Sequence, residues 1–387
     1  MVQRIKKWVG ILTAGVLLLG GVPLEKAAAE SSVSVFAASC VVMEAVTGAV
    51  LYEKNAREER PMASTTKIMT ALLCLESGDL DREFSVDSDA IHVEGSSMGL
   101  VEGDRVTKRA LCYGMLLPSG NDAAGAAAVE LAGSYTAFAQ QMNQRAEQLG
   151  MTKTHFVTPS GLHDDAHYTT AYDMALLTAA ALQNETFREI CGQEKAQVSF
   201  GNPPYDRWLS NSNKLLSMDD SIIGVKTGFT DEAGRCLVSA AVRDGVTLIC
   251  VTLNDPNDWQ DHLALYDSCF SMVEPVACAV PENWTVPVAG GKEMASVSVQ
   301  AEAPLVAGVC GGTMPELEFV METAPFLYAP VTAGQQVGTW CARQENGRIA
   351  ATGALYAAES ISYQTEQSVS EQKPAWHQRL WLSLIHI

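Results

Sequence analysis

Three short segments carry residue types that could share one reaction: Ser64-Thr65-Thr66-Lys67, Ser119-Gly120-Asn121 and Lys226-Thr227-Gly228. A serine hydroxyl is a weak nucleophile and needs a base within hydrogen-bond reach. A helix beginning near Ser64 brings Lys67, three residues on, to the same face one turn away. An ordinary lysine is protonated. It serves as a base only where burial, nearby positive charge or the positive end of a helix lowers its pKa. Ser119 could relay a proton to a leaving amine, and Asn121 could donate to a substrate carbonyl and hold the lysine. Lys226 and Thr227 suit a substrate carboxylate, while Gly228 lets a substrate backbone lie close against a strand. Backbone N–H groups of Ser64 and Phe229 could form an oxyanion hole.

Each segment alone has a plainer explanation. Ser64 could be a helix N-cap followed by a surface lysine. Ser119 and Asn121 could cap a turn, and Lys226 could be an exposed lysine at a strand end. A Ser-x-x-Lys match is expected about once by chance in a chain of this length; all three segments in this order are not. His163 and His167 are spaced i, i+4, but the Gly161 context reads as loop and no His-Glu-x-x-His occurs. No metal and no cofactor is expected.

Hairpins near both ends of residues 35–275 bracket a helical middle. Cys40–Val46 and Ala49–Asn55 flank a turn at Thr47-Gly48, and Leu237–Val242 and Val246–Leu253 flank Asp244-Gly245. Strand character at Ile222–Thr230 carries the Lys226 segment. Helices are expected at 68–76, through most of 109–192, and at about 260–273; Thr170 to Asp173 reads as a capping box. Ser119 falls in a loop between helices, where a side chain can project into a cleft. The pattern implies one antiparallel sheet built from both ends of this region and covered by helices, an α/β sandwich of mixed (α+β) type. Residues 276–357 read as a small all-β domain without histidine, 358–374 as a Ser/Gln/Glu-rich linker, and 375–387 as the start of an amphipathic, interfacial membrane anchor.

The chain has 387 residues, is 47% hydrophobic and 18% charged, and has a net charge of −19. That is globular composition. The acidic balance argues against nucleic acid as a partner, since phosphate binding needs a basic patch. Residues 1–29 read as a signal peptide: Arg4, Lys6 and Lys7, then apolar Trp8 to Val22, then Ala27-Ala28-Ala29. A retained N-terminal helix is the alternative, and either places the protein outside the cytoplasm. The ten cysteines are scattered singly with no Cys-x-x-Cys. Most read as small buried hydrophobes; a Cys310–Cys341 bond is possible but is not fixed by the sequence.

The chain resembles the D-alanyl-D-alanine carboxypeptidases, low-molecular-mass penicillin-binding proteins, over roughly 38–275. The likeness lies in Arg60-Pro61-Met62-Ala63-Ser64-Thr65-Thr66-Lys67-Ile68-Met69-Thr70, Leu117-Pro118-Ser119-Gly120-Asn121-Asp122-Ala123-Ala124, Thr170 to Ala175, and Gly224-Val225-Lys226-Thr227-Gly228-Phe229-Thr230 with Ala233-Gly234. The resemblance implies a penicillin-binding-protein/β-lactamase-like transpeptidase fold. It implies attack by Ser64 on the bond between two D-alanines of a peptidoglycan stem pentapeptide, with Lys67 as base, Ser119 as proton shuttle, and Lys226 and Thr227 on the terminal carboxylate. β-Lactam antibiotics would acylate Ser64. The C-terminal tail would touch the membrane surface. The segment Asn254–His262 departs from better-known members in lacking an arginine. Three rivals stand beside this reading: a D,D-endopeptidase cutting cross-links, a β-lactamase, and a non-catalytic wall-binding protein on the same fold. A class A β-lactamase adds a Glu-x-x-Leu-Asn segment absent here, and Gly120 replaces its usual aspartate.

Overall fold

The computed structural model describes residues 33–291, 295–311 and 314–363. The predicted signal peptide, the tail at 375–387 and most of the predicted linker lie outside them. Strands β1 (Ser39–Glu44) and β2 (Val50–Lys54) form the expected hairpin. A 3-10 turn, Ala63–Thr66, runs into α1 (Lys67–Glu76). A short pair, β3 (Glu83–Ser85) and β4 (Arg105–Thr107), flanks α2 (Ser88–Ile91). Then follow α3 (Lys108–Leu116), α4 (Asn121–Ala132), α5 (Tyr135–Gln148), α6 (Ala171–Ala181) and α7 (Glu185–Cys191).

The helical stretch expected over 109–192 is interrupted at 149–170, which is irregular. This segment is tied down by polar groups instead of apolar periodicity. Thr170 caps α6 by accepting from the Asp173 N–H at 3.0 Å, as its sequence position predicts. The Asp173 carboxylate accepts from the Lys153 N–H and the Thr154 hydroxyl.

A two-stranded arm, β5 (Lys195–Gly201) and β6 (Pro204–Ser210), is not foreseen in the sequence. After it come β7 (Ile222–Thr230), β8 (Gly234–Arg243), β9 (Val246–Leu253) and α8 (Asp258–Phe270). The main sheet has the order β2-β1-β9-β8-β7, every neighbour antiparallel, so both ends of the region do build one sheet. Alternation along its strands feeds two cores. Val41, Met43, Val238, Ile249 and Val251 join the helical layer, whereas Cys40, Val42, Leu237, Leu248 and Cys250 pack with Leu265, Tyr266 and Cys269 of α8. Sheet strands covered on both faces read as near-continuous apolar runs.

Beyond α8, β10 (Glu274–Cys278) pairs with β13 (Leu305–Val309). A six-stranded sheet follows, built from β11 (Thr285–Ala289), β12 (Ala295–Ala301), β14 (Leu317–Thr323), β15 (Leu327–Tyr328), β16 (Gln336–Gln344) and β17 (Ile349–Ala357). It has its own apolar core around Val286, Val297, Trp340 and Leu355. Polar contacts tie this β-rich region to the first hairpin. The Arg348 guanidinium donates to the carbonyls of Ala45 and Val46, and the Gly308 N–H donates to Glu44.

Eight of the ten cysteines are buried and none is bonded to another. Cys310 is exposed while Cys341 is buried, so that pair does not form. Among the described residues, no helix is long and apolar enough to cross a membrane.

Candidate active site

Ser64 lies in the 3-10 turn, and the tighter turn still delivers Lys67 to it. Lys67 is fully buried. Its Nζ stands 2.8 Å from Ser64 Oγ, 2.7 Å from Asn121 Oδ1 and 2.7 Å from the Ser160 carbonyl oxygen. Burial drives its pKa well below the ordinary lysine value; nearby Lys226 pushes the same way and Asp122 opposes. A neutral amine has two hydrogens and one lone pair. The Asn121 amide oxygen and the Ser160 carbonyl can only accept, so they take both hydrogens and leave the lone pair for the Ser64 hydroxyl. The Asn121 orientation follows from its other end, where Nδ2 donates to the Glu94 carbonyl at 2.6 Å.

Second-row contacts hold each partner. Asp122, buried at the start of α4, accepts from the N–H groups of Met98, Gly99 and Leu100 and from the Ser97 hydroxyl. That anchors the 94–100 segment over Asn121. Ser119, also buried, takes φ +67, a left-handed conformation unusual for serine. Opposite, the Thr70 hydroxyl donates to the Pro159 carbonyl at 2.6 Å. Gly161 takes φ +84, and a Cβ there would fall 1.9 Å from the Ala63 carbonyl oxygen, so only glycine lets this segment close on the Ser64 turn.

His167 braces that turn from behind. Its Nδ1 accepts from the Val157 N–H at 2.9 Å, so the proton lies on Nε2, which donates to Thr66 Oγ1 at 2.8 Å. Thr66 in turn donates to the Ala63 carbonyl. Burial lowers the His167 pKa to about 4. His163 faces Asp165 at 3.4 Å instead, so the two histidines do not converge. Among the described residues no cluster of three metal-ligating side chains exists.

Strand β7 is the edge of the main sheet and supplies the third segment. Lys226 and Gly228 are buried, Thr227 is half-buried and Phe229 is 63% exposed, the alternation expected of a strand. Burial lowers the Lys226 pKa to about 7, and its Nζ donates to the Thr227 carbonyl at 2.8 Å. Thr227 Oγ1 lies 2.6 Å from Ser212 Oγ. A Cβ on Gly228 would stand 3.1 Å from the backbone nitrogens of both Ser64 and Thr65. What presses on Gly228 is therefore the Ser64 turn itself. The three segments meet in one place.

Sequence reasoning missed Ser160, Ser212, Asp122 and the brace from His167. Ser160 acts through its carbonyl, which no side-chain pattern reveals; the signal was the Pro159-Ser160-Gly161 turn. Ser212 sits in Asn211-Ser212-Asn213, just after the unrecognised arm.

A family profile described as D-alanyl-D-alanine carboxypeptidase matches residues 25–257. The D-alanyl-D-alanine carboxypeptidase DacF of Bacillus subtilis is 30% identical over 370 residues, covering 92% of this chain and 95% of that protein. A Streptomyces D-alanyl-D-alanine carboxypeptidase is 36% identical over 261 residues, 63% of this chain and 89% of its own. An Escherichia coli D-alanyl-D-alanine endopeptidase is 31% identical over 219 residues, 56% of this chain and 70% of its own. Among solved structures, the D-alanyl-D-alanine carboxypeptidase DacD from Francisella tularensis superposes with a TM-score of 0.59 at 28% identity, covering 86% of this chain and 95% of that one. A Streptomyces DD-transpeptidase gives a TM-score of 0.59 at 33% identity, over 62% and 98%.

Proposed function

The chain belongs to the D-alanyl-D-alanine carboxypeptidase family, and from that premise we propose how its residues divide the work. The enzyme is a serine-type D-alanyl-D-alanine carboxypeptidase that removes the terminal D-alanine of peptidoglycan stem peptides. Ser64 attacks the scissile carbonyl, and Lys67, neutral in its buried setting, takes the hydroxyl proton. The backbone N–H groups of Ser64 and Phe229 receive the developing oxyanion, a role supported by the close approach of Gly228 to Ser64 N. Ser119 passes a proton to the departing D-alanine. Lys226 and Thr227 hold the terminal carboxylate, while Asn121 holds Lys67 and offers its amide to the substrate backbone. Water then hydrolyses the Ser64 ester, and a β-lactam would remain on it.

One observation supports this reading most: the fully buried Lys67 amine has Ser64 Oγ at 2.8 Å and two obligate acceptors at 2.7 Å. The test is D-alanine release from a soluble pentapeptide together with covalent labelling by a fluorescent penicillin and peptide mapping. Label on the peptide containing Ser64, and loss of both signals in Ser64→Ala, is the expected result. Label retained in that variant would refute the nucleophile. The endopeptidase relative keeps a second substrate in view, and release from cross-linked against monomeric peptides measures the balance.

The catalytic unit is proposed to span 35–275 and the β-rich one 276–357. Export is supported by the basic and then apolar character of residues 1–29 and by the extracytoplasmic place of the substrate. Contact of residues 375–387 with the membrane surface is supported by the spacing of Trp376, Leu380, Leu384 and Ile387.

A further inference from the structure

We propose that the outward face of the β5–β6 arm is a carbohydrate platform centred on Trp208, and that it takes a hexosamine ring of the glycan that carries the substrate peptide. This rests on the peptidase reading above. The arm has two unlike faces. Ala196, Val198, Phe200 and Leu209 point inward and are buried. Lys195, Gln197 and Ser199 of β5 and Asp206, Trp208 and Ser210 of β6 alternate with them and are exposed. Trp208 leaves 63% of its surface to solvent.

A large indole on a sheet face gives nothing to the core, and its neighbours here are polar. Gln197 stands directly opposite, and its amide donates to Asp206 at 3.2 Å. The Lys195 ammonium lies 5.4 Å from the indole ring centre. A flat apolar ring surrounded by an amide, a carboxylate, an ammonium and hydroxyls matches a pyranose. The sugar's axial C–H groups stack on the ring, and its equatorial hydroxyls and acetamido group meet the polar rim. A protein partner would instead want a broader apolar patch.

The platform is continuous with the active site. The arm is clamped to the 97–104 segment by Arg207, whose guanidinium stacks on Phe200 and Tyr205, donates to the Gly99 carbonyl and faces Asp104 at 3.5 Å. Asp206, Trp208 and Ser210 step along one face toward Ser212, whose hydroxyl touches Thr227. Trp208 is four residues from Ser212, so at most about 13 Å of chain at strand rise separates them. An extended five-residue stem peptide reaches at most about 17 Å. A peptide whose carboxylate end is held at Thr227 therefore has the length to place its sugar on Trp208.

The experiment compares wild type, Trp208→Ala and Trp208→Phe. D-alanine release is measured from a soluble pentapeptide and from insoluble cell-wall polymer, and co-sedimentation is measured with glycan strands stripped of peptide. Trp208→Ala is expected to keep its soluble-peptide kcat/KM within about twofold and to lose about fivefold to tenfold on polymer, the scale of one lost aromatic contact. Its co-sedimentation weakens likewise, and Trp208→Phe falls between. Unchanged activity on polymer overturns the platform, and so does an equal loss on both substrates, which would make the arm a support for the cleft. Should wild type release D-alanine from neither substrate, the peptidase reading has failed. Co-sedimentation then decides the platform alone: reduced in Trp208→Ala it stands, equal to wild type it falls.

Discussion

The region before Tyr266 and the β-rich region after Glu274 bury their interiors by opposite rules. Lys67, Ser119, Asn121, Asp122, His167, Lys226, Asp255 and His262 are all buried in the first. Among the described residues, no buried side chain bearing a charge, an amide or a hydroxyl follows Tyr266. The β-rich sheet is held by Val, Ala, Leu and one Trp. Burying polar groups costs free energy unless each is paired, so most sit where they are used or satisfied, Asp255 with its unpartnered Oδ2 being an exception. Even within the first region there are two kinds. Behind the main sheet, Ser239 joins His262 Nδ1 and Tyr266 at 2.7 Å each, and Thr252 meets His262 Nε2 at 3.0 Å, a closed set. On the cleft side the set ends on the Ser64 hydroxyl, where a proton can leave. The functional mark is the open end of the network; burial alone is shared by both.

The largest expected effects cut that open end. Ser64→Ala should lower D-alanine release by about 10⁴-fold or more and abolish penicillin labelling, while thermal unfolding barely moves. Lys67→Ala should cost about 10³-fold, within the range of a general base. Measured rates and melting temperatures together check both. A large loss of stability with retained activity would place Lys67 among the structural groups and collapse the distinction.

Lys226 comes next. Its folded pKa of about 7 means that rising pH removes the ammonium that would meet a carboxylate. The kcat/KM for a D-alanine-terminated peptide should therefore bend downward above about pH 7. Lys226→Gln should lose tens-fold in kcat/KM, the scale of a charge-assisted hydrogen bond, and should lack this alkaline limb. A profile flat from pH 7 to 9 in the native enzyme would remove Lys226 from carboxylate recognition.

How much of this was legible follows from the same division. In the proposed reaction Ser64, Lys67, Ser119, Asn121, Lys226 and Thr227 would act through side chains, and their types and order in the sequence announced a site. The β1–β2 and β8–β9 hairpins were readable from apolar runs flanking the turn residues Thr47-Gly48 and Asp244-Gly245, and the α6 cap from Thr170. Ser160 was hidden because its contribution is a carbonyl. The 149–170 break was hidden because Asp173 and His167, not apolar residues, organise it. In the β5–β6 arm, β5 does carry the alternation of a half-buried strand, Ala196, Val198 and Phe200 against Lys195, Gln197 and Ser199, whereas β6 buries only Leu209 and has no such pattern to mark the partner strand.

The closed network behind the sheet predicts stability without activity. His262→Leu leaves Ser239 and Thr252 each short of a partner and should destabilise by about 2–3 kcal/mol, with soluble-peptide turnover unchanged. Acid unfolding tests the same groups. Burial depresses His262 to about 3 and His167 to about 4, below the unfolded value near 6.5. The unfolded chain therefore binds protons first, and the stability these histidines contribute at neutral pH is lost as pH falls from about 6.5 toward 4 and 3. Asp255 works in the other direction. Raised by burial to about 6, it is protonated first in the folded state and offsets part of the loss below that pH. Unfolding midpoints between pH 7 and 4.5 should fall less steeply in His262→Leu than in wild type. Parallel slopes would mean that His262 does not titrate with folding.

The smallest effect belongs to the seam between the two regions. Arg348 reaches from the β16–β17 turn to the Ala45 and Val46 carbonyls at 3.2 and 2.7 Å, and its Nε donates to Gln344 at 3.1 Å. Removing the guanidinium returns those carbonyls to water, so Arg348→Ala should cost only about 1–2 kcal/mol. The Arg348 contact meets the main sheet at the β1–β2 turn, and β1 is separated from β7 by β9 and β8. If the β-rich region only spaces or supports the catalytic one, this variant keeps its kcat/KM for soluble peptide while its melting temperature drops. A fall in kcat/KM without a fall in melting temperature would instead couple the seam to the Lys226 edge of the sheet, and the apolar region could no longer be set apart from catalysis.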